Sequence, residues 1–371
     1  MKRRTKYSSN YIYLGNETSH RRLKKIQTPR PKSRKTKILE VIFKSILISL
    51  LYLILQKINI SDNNIKILTD KKNYSFKNQL HNDYINNSFI ILSHICPDCG
   101  LLSHYNKLLS CLSHILNEGR IPIVNLIRFP NIFNGFNESS LSLEQNPWEY
   151  FFKQPFDYNL KDVIQYAKHK KIFECCGYKR PNHDIIFDNK FYSYYWHNLY
   201  ETYFPIKDEL IKEADGIRKI LFKNSENILG ILLRGTDFMA TKPAKHYIQP
   251  EPEIVFNDVD KFEEENHYDY YFCVTEDKYI RDKFLNKYNN KVKYYKSSQE
   301  FYYNYSDINN RLAFNEKIYG NLNFMKAYII NIIILSKCID IICGRTNGSV
   351  FAFIITKGFR NIKAYNLGKY K

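Results

Sequence analysis

NILGILLRGTD, residues 227–237, is the stretch whose reading decides the fold. Asn227 to Leu233 has the length of a strand and is apolar almost throughout, as expected where both faces of a parallel sheet are covered. It ends abruptly in Arg234-Gly235-Thr236-Asp237. The same grammar recurs downstream. Tyr270 to Val274 is a second short apolar run, ending in Thr275-Glu276-Asp277, and Lys278 to Tyr288 follows with helical spacing. Lys291 to Tyr295 reads as a strand, Leu322 to Ser336 as a very apolar helix, and Ile339 to Cys343 as a buried strand. Arg345-Thr346-Asn347-Gly348-Ser349 then turns into a helix through Thr356, and Asn361 to Asn366 is a final strand. Strands alternating with helices predict an α/β fold with a parallel sheet.

Upstream, Ser88 to Ile95 reads as a strand, Cys96 to Gly100 as a turn, and Ile121 to Leu126 as the next strand. Between them Leu102, Tyr105, Leu108, Leu109, Leu112, Ile115 and Leu116 recur at helical spacing, and Gly119 closes that helix. This βαβ unit predicts a second parallel sheet. The chain of 371 residues has room for two such domains, here placed at 87–222 and 223–371.

The formal charge of +19 suggests a nucleic-acid partner until its position is considered. Residues 1–37 hold thirteen Lys or Arg against one acid, Glu17, so this tail alone supplies +12 and the rest of the chain about +7. The tail abuts an apolar run, Ile38 to Gln56, which as a helix would rise roughly 28 Å, close to a bilayer's hydrocarbon thickness. The expectation is a basic cytosolic tail at 1–37, a membrane anchor helix at 38–56 and a polar stem at 57–86, with no nucleic acid bound. The anchor makes the protein single-pass type II. Its catalytic part would face the Golgi or ER lumen in a eukaryote, and in a bacterium the protein would sit on the cytoplasmic membrane. A buried or amphipathic helix is the alternative for 38–56.

Ligands of open α/β sheets bind beyond the carboxyl ends of the strands. Three polar clusters fall there: 234–237, 275–277 and 345–349. A guanidinium such as Arg234 or Arg345 holds a diphosphate with two parallel donors. The turn of Thr346, Asn347 and Ser349 offers hydroxyls and helix N-terminal amides to the same anion. Asp277, with Thr275 beside it, suits a ribose or a guanine edge. Against each stands a local role: Asp237 and Ser349 as helix caps, Arg234 as an ion-pair partner. Eight cysteines include Cys96-Pro-Asp-Cys99, one CxxC with no second pair, which does not make a zinc site but does resemble the arrangement of a redox dithiol.

LLRGTDF (232–238), followed by KHYIQP (245–250), resembles the donor motif of the α-1,6-fucosyltransferase-like and nodulation-type fucosyltransferases. CGLLSHYNKLLSCLSHILNEGRIPIV (99–124) with NPWEYFFKQP (146–155) is similar to the acceptor-side domain of that family, and VTED (274–277) and GRTNGS (344–349) stand where it carries nucleotide-contacting turns. The resemblance spans about residues 88–368. It implies a GT-B architecture, two Rossmann-like domains with parallel sheets facing a cleft, and an inverting transfer of fucose from GDP-fucose to a glycan hydroxyl. It further implies no cofactor beyond the GDP-sugar donor and no metal. Arg234 would then meet the donor phosphates, supported by Asp237, while Asp277, Thr346 and Ser349 bind the nucleoside or phosphates. Gly100, Asn106, His246, Thr275, Arg345 and Asn347 complete the substrate-binding set. Glu149, Asp237 and His246 are the candidate bases for the acceptor hydroxyl, His246 with a structural role as its alternative. Many animal relatives place two arginines together, whereas here Gly235 takes the second place. Competing readings are another GT-B nucleotide-sugar transferase, a membrane-tethered glycan- or nucleotide-binding protein without turnover, and a thiol oxidoreductase using Cys96 and Cys99.

Overall fold

In the computed structural model the residues described are 87–371, except 98, 130, 132, 134–140, 176–179, 236–237, 240–241 and 296–321. The tail, anchor and stem expected at 1–86 lie outside the described residues. Among those described, no helix is long and apolar enough to cross a membrane.

β1 (Ser88–Ser93) carries alternating apolar side chains that are buried on both faces: Ile90 and Leu92 on one, Phe89 and Ile91 on the other. It pairs in parallel with β2 (Ile121–Val124) and with β3 (His169–Glu174), giving the order β2-β1-β3. Between β1 and β2 runs α1 (Leu101–Ile115), continued by a 3₁₀ turn (Leu116–Glu118) that Gly119 closes in the left-handed conformation, φ 63°. β3 was not expected from the sequence: HKKIFE is an edge strand, exposed almost throughout, so no apolar run marks it. Two short helices, α2 (Pro147–Phe151) and α3 (Leu160–Tyr166), precede it.

α4 (Lys190–Tyr203) and α5 (Asp208–Phe222) lead into the second sheet. That sheet comprises β4 (Ile228–Leu232), β5 (Tyr270–Val274), β6 (Val292–Lys293), β7 (Asp340–Gly344) and β8 (Ile362–Tyr365). All neighbours are parallel in the order β6-β5-β4-β7-β8. The intervening helices are α6 (Pro252–Asn266), α7 (Lys278–Tyr288), α8 (Leu322–Leu335) and α9 (Asn347–Ile355). The strand expected at 291–295 is shorter, two residues at the sheet edge. Gly230, within β4, lets α8 pack closely: a Cβ there would stand 2.7 Å from Leu335 Cδ1 and 3.2 Å from Cys338 Cβ.

α4 and α5 fasten the first sheet's region to the second sheet's helices. α5 buries Leu210, Ala214 and Phe222 and salt-bridges Glu213 to Lys326 of α8 at 2.7 Å. α4 sends Ser193 Oγ to the Phe353 carbonyl, 3.2 Å, and sets His197 Nδ1 2.7 Å from the Ile354 carbonyl oxygen. One apolar cluster therefore runs from Ile90 and Leu92 through Tyr105 and Trp148 to Ile330 and Phe351. Tyr105 lies at its centre, stacked on Trp148 at 5.5 Å and edge-on to Phe351 at 4.6 Å. Each such ring contributes about 1.5–3 kcal/mol on burial.

Candidate active site

β4 and β5 end side by side, with Leu232 opposite Val274, so the residues after them share one rim. Arg234, Thr275 and Glu276 on that rim, together with Thr346 before α9, wall a pocket floored by Phe324, Ala327, Tyr328 and Asn331 of α8. Three of the nominated residues, Arg234, Thr275 and Thr346, thus meet although they lie far apart in the chain.

The guanidinium of Arg234 lies over the Phe238 ring, 4.4 Å from its centroid, and Nε stands 3.7 Å from Glu276 Oε1. That ion pair is longer than a hydrogen bond. Phe238 in turn meets the exposed His246 edge-on at 5.1 Å, which joins His246 to Arg234 through one ring. Asp237 and Thr236 lie outside the described residues.

Gly235 explains the departure from paired arginines. A Cβ at this position would stand 2.2 Å from Asp277 Oδ2 and 2.5 Å from Asp277 Cβ, so no side chain fits without moving Asp277. Its amide donates to Glu276 Oε1 at 3.2 Å.

Asp277 corrects an expectation. It is fully buried, and its Oδ1 accepts from the amides of Tyr279 and Ile280, capping α7. It shapes the rim from behind rather than meeting a ribose. Thr275 Oγ1 accepts from the Asp277 amide at 3.1 Å. Arg345 is corrected as well. Only 6% exposed, it donates through Nη1 to the His183 carbonyl at 2.8 Å and to Asp184 Oδ1 at 2.9 Å. It ties the 181–189 segment to β7 and is not presented to a ligand. His183 stacks on Tyr247 at 5.5 Å, and burial, with Arg180 and Arg345 near, lowers its pKa to about 4.

The 346–349 turn is built as a capping box. Thr346 accepts from the Ser349 amide at 3.1 Å, and the Thr346 amide donates to Ser349 Oγ at 2.9 Å. Ser349, fully buried, also donates to the Gly344 carbonyl at 2.8 Å, so its hydroxyl is spent inside the turn rather than on a phosphate. Asn347 is held from the other sheet. Asn106 Nδ2, on α1, reaches Asn347 Oδ1 at 3.2 Å and its carbonyl at 3.3 Å across 241 residues of sequence. The Oδ1 of Asn106 is buried with no hydrogen-bond partner among the described residues. Gly100 caps α1 with its backbone alone, in open space.

Glu149 is corrected from base to brace. Its Oε1 accepts from Asn146 Nδ2 (3.3 Å), Gln154 Nε2 (2.9 Å) and the Leu160 amide (2.8 Å), all within the first sheet's surroundings. It does not line the pocket. Conversely, the sequence reading missed Glu276 and the α8 residues. Phe324, Tyr328 and Asn331 recur at helical spacing, and the last two are polar interruptions in LNFMKAYIINIIIL, the one signal that this helix faces a site. Burial holds the Tyr328 phenol up to about 12, so it stays protonated, a neutral hydroxyl. It lies so close to Gly348 that a Cβ there would stand 2.3 Å from it.

No family model matches the chain, and no curated protein matches it. Among solved structures, fucosyltransferase NodZ from Bradyrhizobium aligns with a TM-score of 0.40 at 11% identity, covering 72% of this chain and 92% of NodZ. POFUT1 in complex with GDP aligns with a TM-score of 0.45 at 9% identity, covering 75% and 98%. A substituted FUT1 from Arabidopsis thaliana in complex with GDP gives 0.40 at 9%, covering 87% and 79%. At these values the chain's own residues carry the reading of the site.

Proposed function

We propose that the chain is a glycosyltransferase of GT-B architecture, an inverting fucosyltransferase that moves fucose from GDP-fucose to a glycan hydroxyl. The observation that carries this reading is the meeting of Arg234, Thr275 and Thr346 at the carboxyl ends of neighbouring parallel strands, around one pocket. The motif resemblance of residues 232–238 to a fucosyltransferase donor segment supplies the sugar and the nucleotide.

The chemistry follows from where charge develops. The acceptor oxygen attacks the anomeric carbon in line, the bond from that carbon to the phosphate oxygen breaks, and GDP leaves with the electron pair. Arg234 meets the growing negative charge, and the amides at the start of α9 add a helix N-terminus. Tyr328 and Asn331 hold the donor from the floor. The acceptor proton goes to His246 or Asp237, the two nominated bases left once Glu149 is assigned as a brace.

Incubating the full chain with GDP-, UDP- and ADP-sugars and measuring nucleotide release tests the reading. Turnover restricted to GDP-fucose supports it, while binding without turnover, or preference for another nucleotide, overturns it. No metal is required under this proposal, so EDTA leaves the rate unchanged, and a loss restored by Mn²⁺ or Mg²⁺ contradicts it. We further place residues 38–56 across a membrane with the basic tail cytosolic. Protease added to sealed vesicles then clips the tail and spares the domain, and a digested domain means no span.

A further inference from the structure

We propose that Cys96 and Cys99 form a thiol–disulfide exchange site, opened by dithiol reductants, in which Cys99 is the leaving sulfur. This does not rest on the transferase reading.

The two cysteines are joined in a disulfide at the turn between β1 and α1. Both are partly accessible, and Ile95 beside them is 45% exposed. The other five described cysteines, Cys111, Cys175, Cys273, Cys338 and Cys343, are all buried. Exchange by a soluble thiol therefore has one reachable target among the described residues.

The two sulfurs have different surroundings. Cys99 is two residues ahead of α1, whose amides present positive ends to it. Ser103 Oγ donates to Cys99 Sγ at 3.3 Å, and Arg180 Nη2 lies 3.8 Å from the same sulfur. Helix, hydroxyl and guanidinium all favour negative charge on Cys99. Among the described residues, no hydroxyl or guanidinium stands at hydrogen-bond distance from Cys96 Sγ as they do at Cys99. Behind them His94 and His104 face each other, Nδ1 to Nδ1 at 3.2 Å, with Phe133 edge-on to His104. Burial holds both imidazoles neutral, down to about 4 for His94 and about 3 for His104, so neither competes with Arg180 as a fixed cation at neutral pH.

The exchange balances as follows. A thiolate of the dithiol attacks Cys96 Sγ, the Cys96–Cys99 bond breaks, and Cys99 departs as a thiolate with the bond's electron pair. The dithiol's second sulfur then attacks the mixed disulfide, closes its own disulfide and releases Cys96, which takes a proton. The protein disulfide gains two electrons and the dithiol loses two. A low-pKa leaving thiol speeds such an exchange.

The test uses the full chain with Cys96→Ser, leaving Cys99 as a lone thiol, and follows its alkylation by iodoacetamide with mass-spectrometric assignment from about pH 5 to about pH 9. The expected midpoint lies at least about one unit below the value near 8.5 of an ordinary thiol. Adding Arg180→Ala should move it back towards that value and slow alkylation near neutral pH by roughly five- to tenfold, while Arg180→Lys retains most of the effect. With Cys99→Ser instead, Cys96 titrates as an ordinary thiol. A Cys99 midpoint at or above the ordinary value, an unchanged midpoint in Arg180→Ala, or a purified chain with no Cys96–Cys99 disulfide to reduce would each overturn the proposal. Should Arg180→Ala fail to fold, the Cys96→Ser and Cys99→Ser titrations decide it alone.

Discussion

Arg234 follows β4 and Arg345 follows β7, the neighbouring strand, each within two residues of the strand's end. Sequence gives them the same place. Arg234 is partly exposed, over Phe238, with Glu276 at 3.7 Å. Arg345 is sunk between Phe187 and Tyr247 and bonded to the 183–184 backbone and side chain. A strand-end arginine is thus a place where charge can be used, and the loop that covers it decides the use. At the end of β4 the guanidinium lines a pocket. At the end of β7, where residues 181–189 fold over it, it becomes a fastener.

The comparison breaks most readily at Arg234. Arg234→Ala should cut transfer by 10²-fold or more, about 3 kcal/mol of transition-state stabilisation, with the urea midpoint unchanged. Near-wild-type turnover would remove Arg234 from the chemistry and dissolve the contrast. Arg345→Ala should do the reverse, costing about 2 kcal/mol of unfolding free energy as charged hydrogen bonds and ring contacts are lost. Measured by denaturant unfolding, an unchanged stability with abolished activity would make Arg345 a ligand contact after all.

Gly235→Ala sharpens the same point from behind the rim. The added methyl collides with Asp277, so the cap of α7 or the path of residues 234–235 must shift. We expect a loss of about 1–3 kcal/mol in stability, accompanied by weaker GDP binding in calorimetry; full tolerance would mean that the rim is looser than its contacts indicate.

The smallest effect is one of pH on the Arg345 side. His183 is held neutral in the folded chain, with its pKa down to about 4, while the unfolded chain protonates near 6.5. The unfolded state therefore binds more protons below about 6.5, and stability falls as pH drops towards 4. Between about pH 7 and about pH 5, His183 contributes a loss of at most about 2 kcal/mol. His183→Gln should flatten that part of the pH–stability curve, and an unflattened curve would assign the loss to other groups.

Where the chain writes its fold in period and punctuation, it was legible. β5 and α7 stand where their patterns put them, and β4, β7 and α9 differ by a residue or two at their ends. β3 was not legible, because lysines on an exposed edge carry no apolar signal. That Arg234, Thr275 and Thr346 come together around one pocket was legible from their position after strands. Burial was not. Asp277, Ser349 and Arg345 have the residue types of a binding site and the partners of caps and ties. Nothing local in sequence distinguishes these uses, since the partners come from elsewhere in the chain, as Asn106 does for Asn347.

The packing of α4 and α5 has a consequence for how the chain is made. Synthesis runs from the N-terminus, so the helices that cover α8 and α9 leave the ribosome before β4 does. A very apolar helix, α8, with nine of its fourteen residues buried, therefore emerges to a partner already present. A gene fragment beginning at residue 223 would deliver that helix with one side bare, and the natural handling of such a product is aggregation rather than a separate domain.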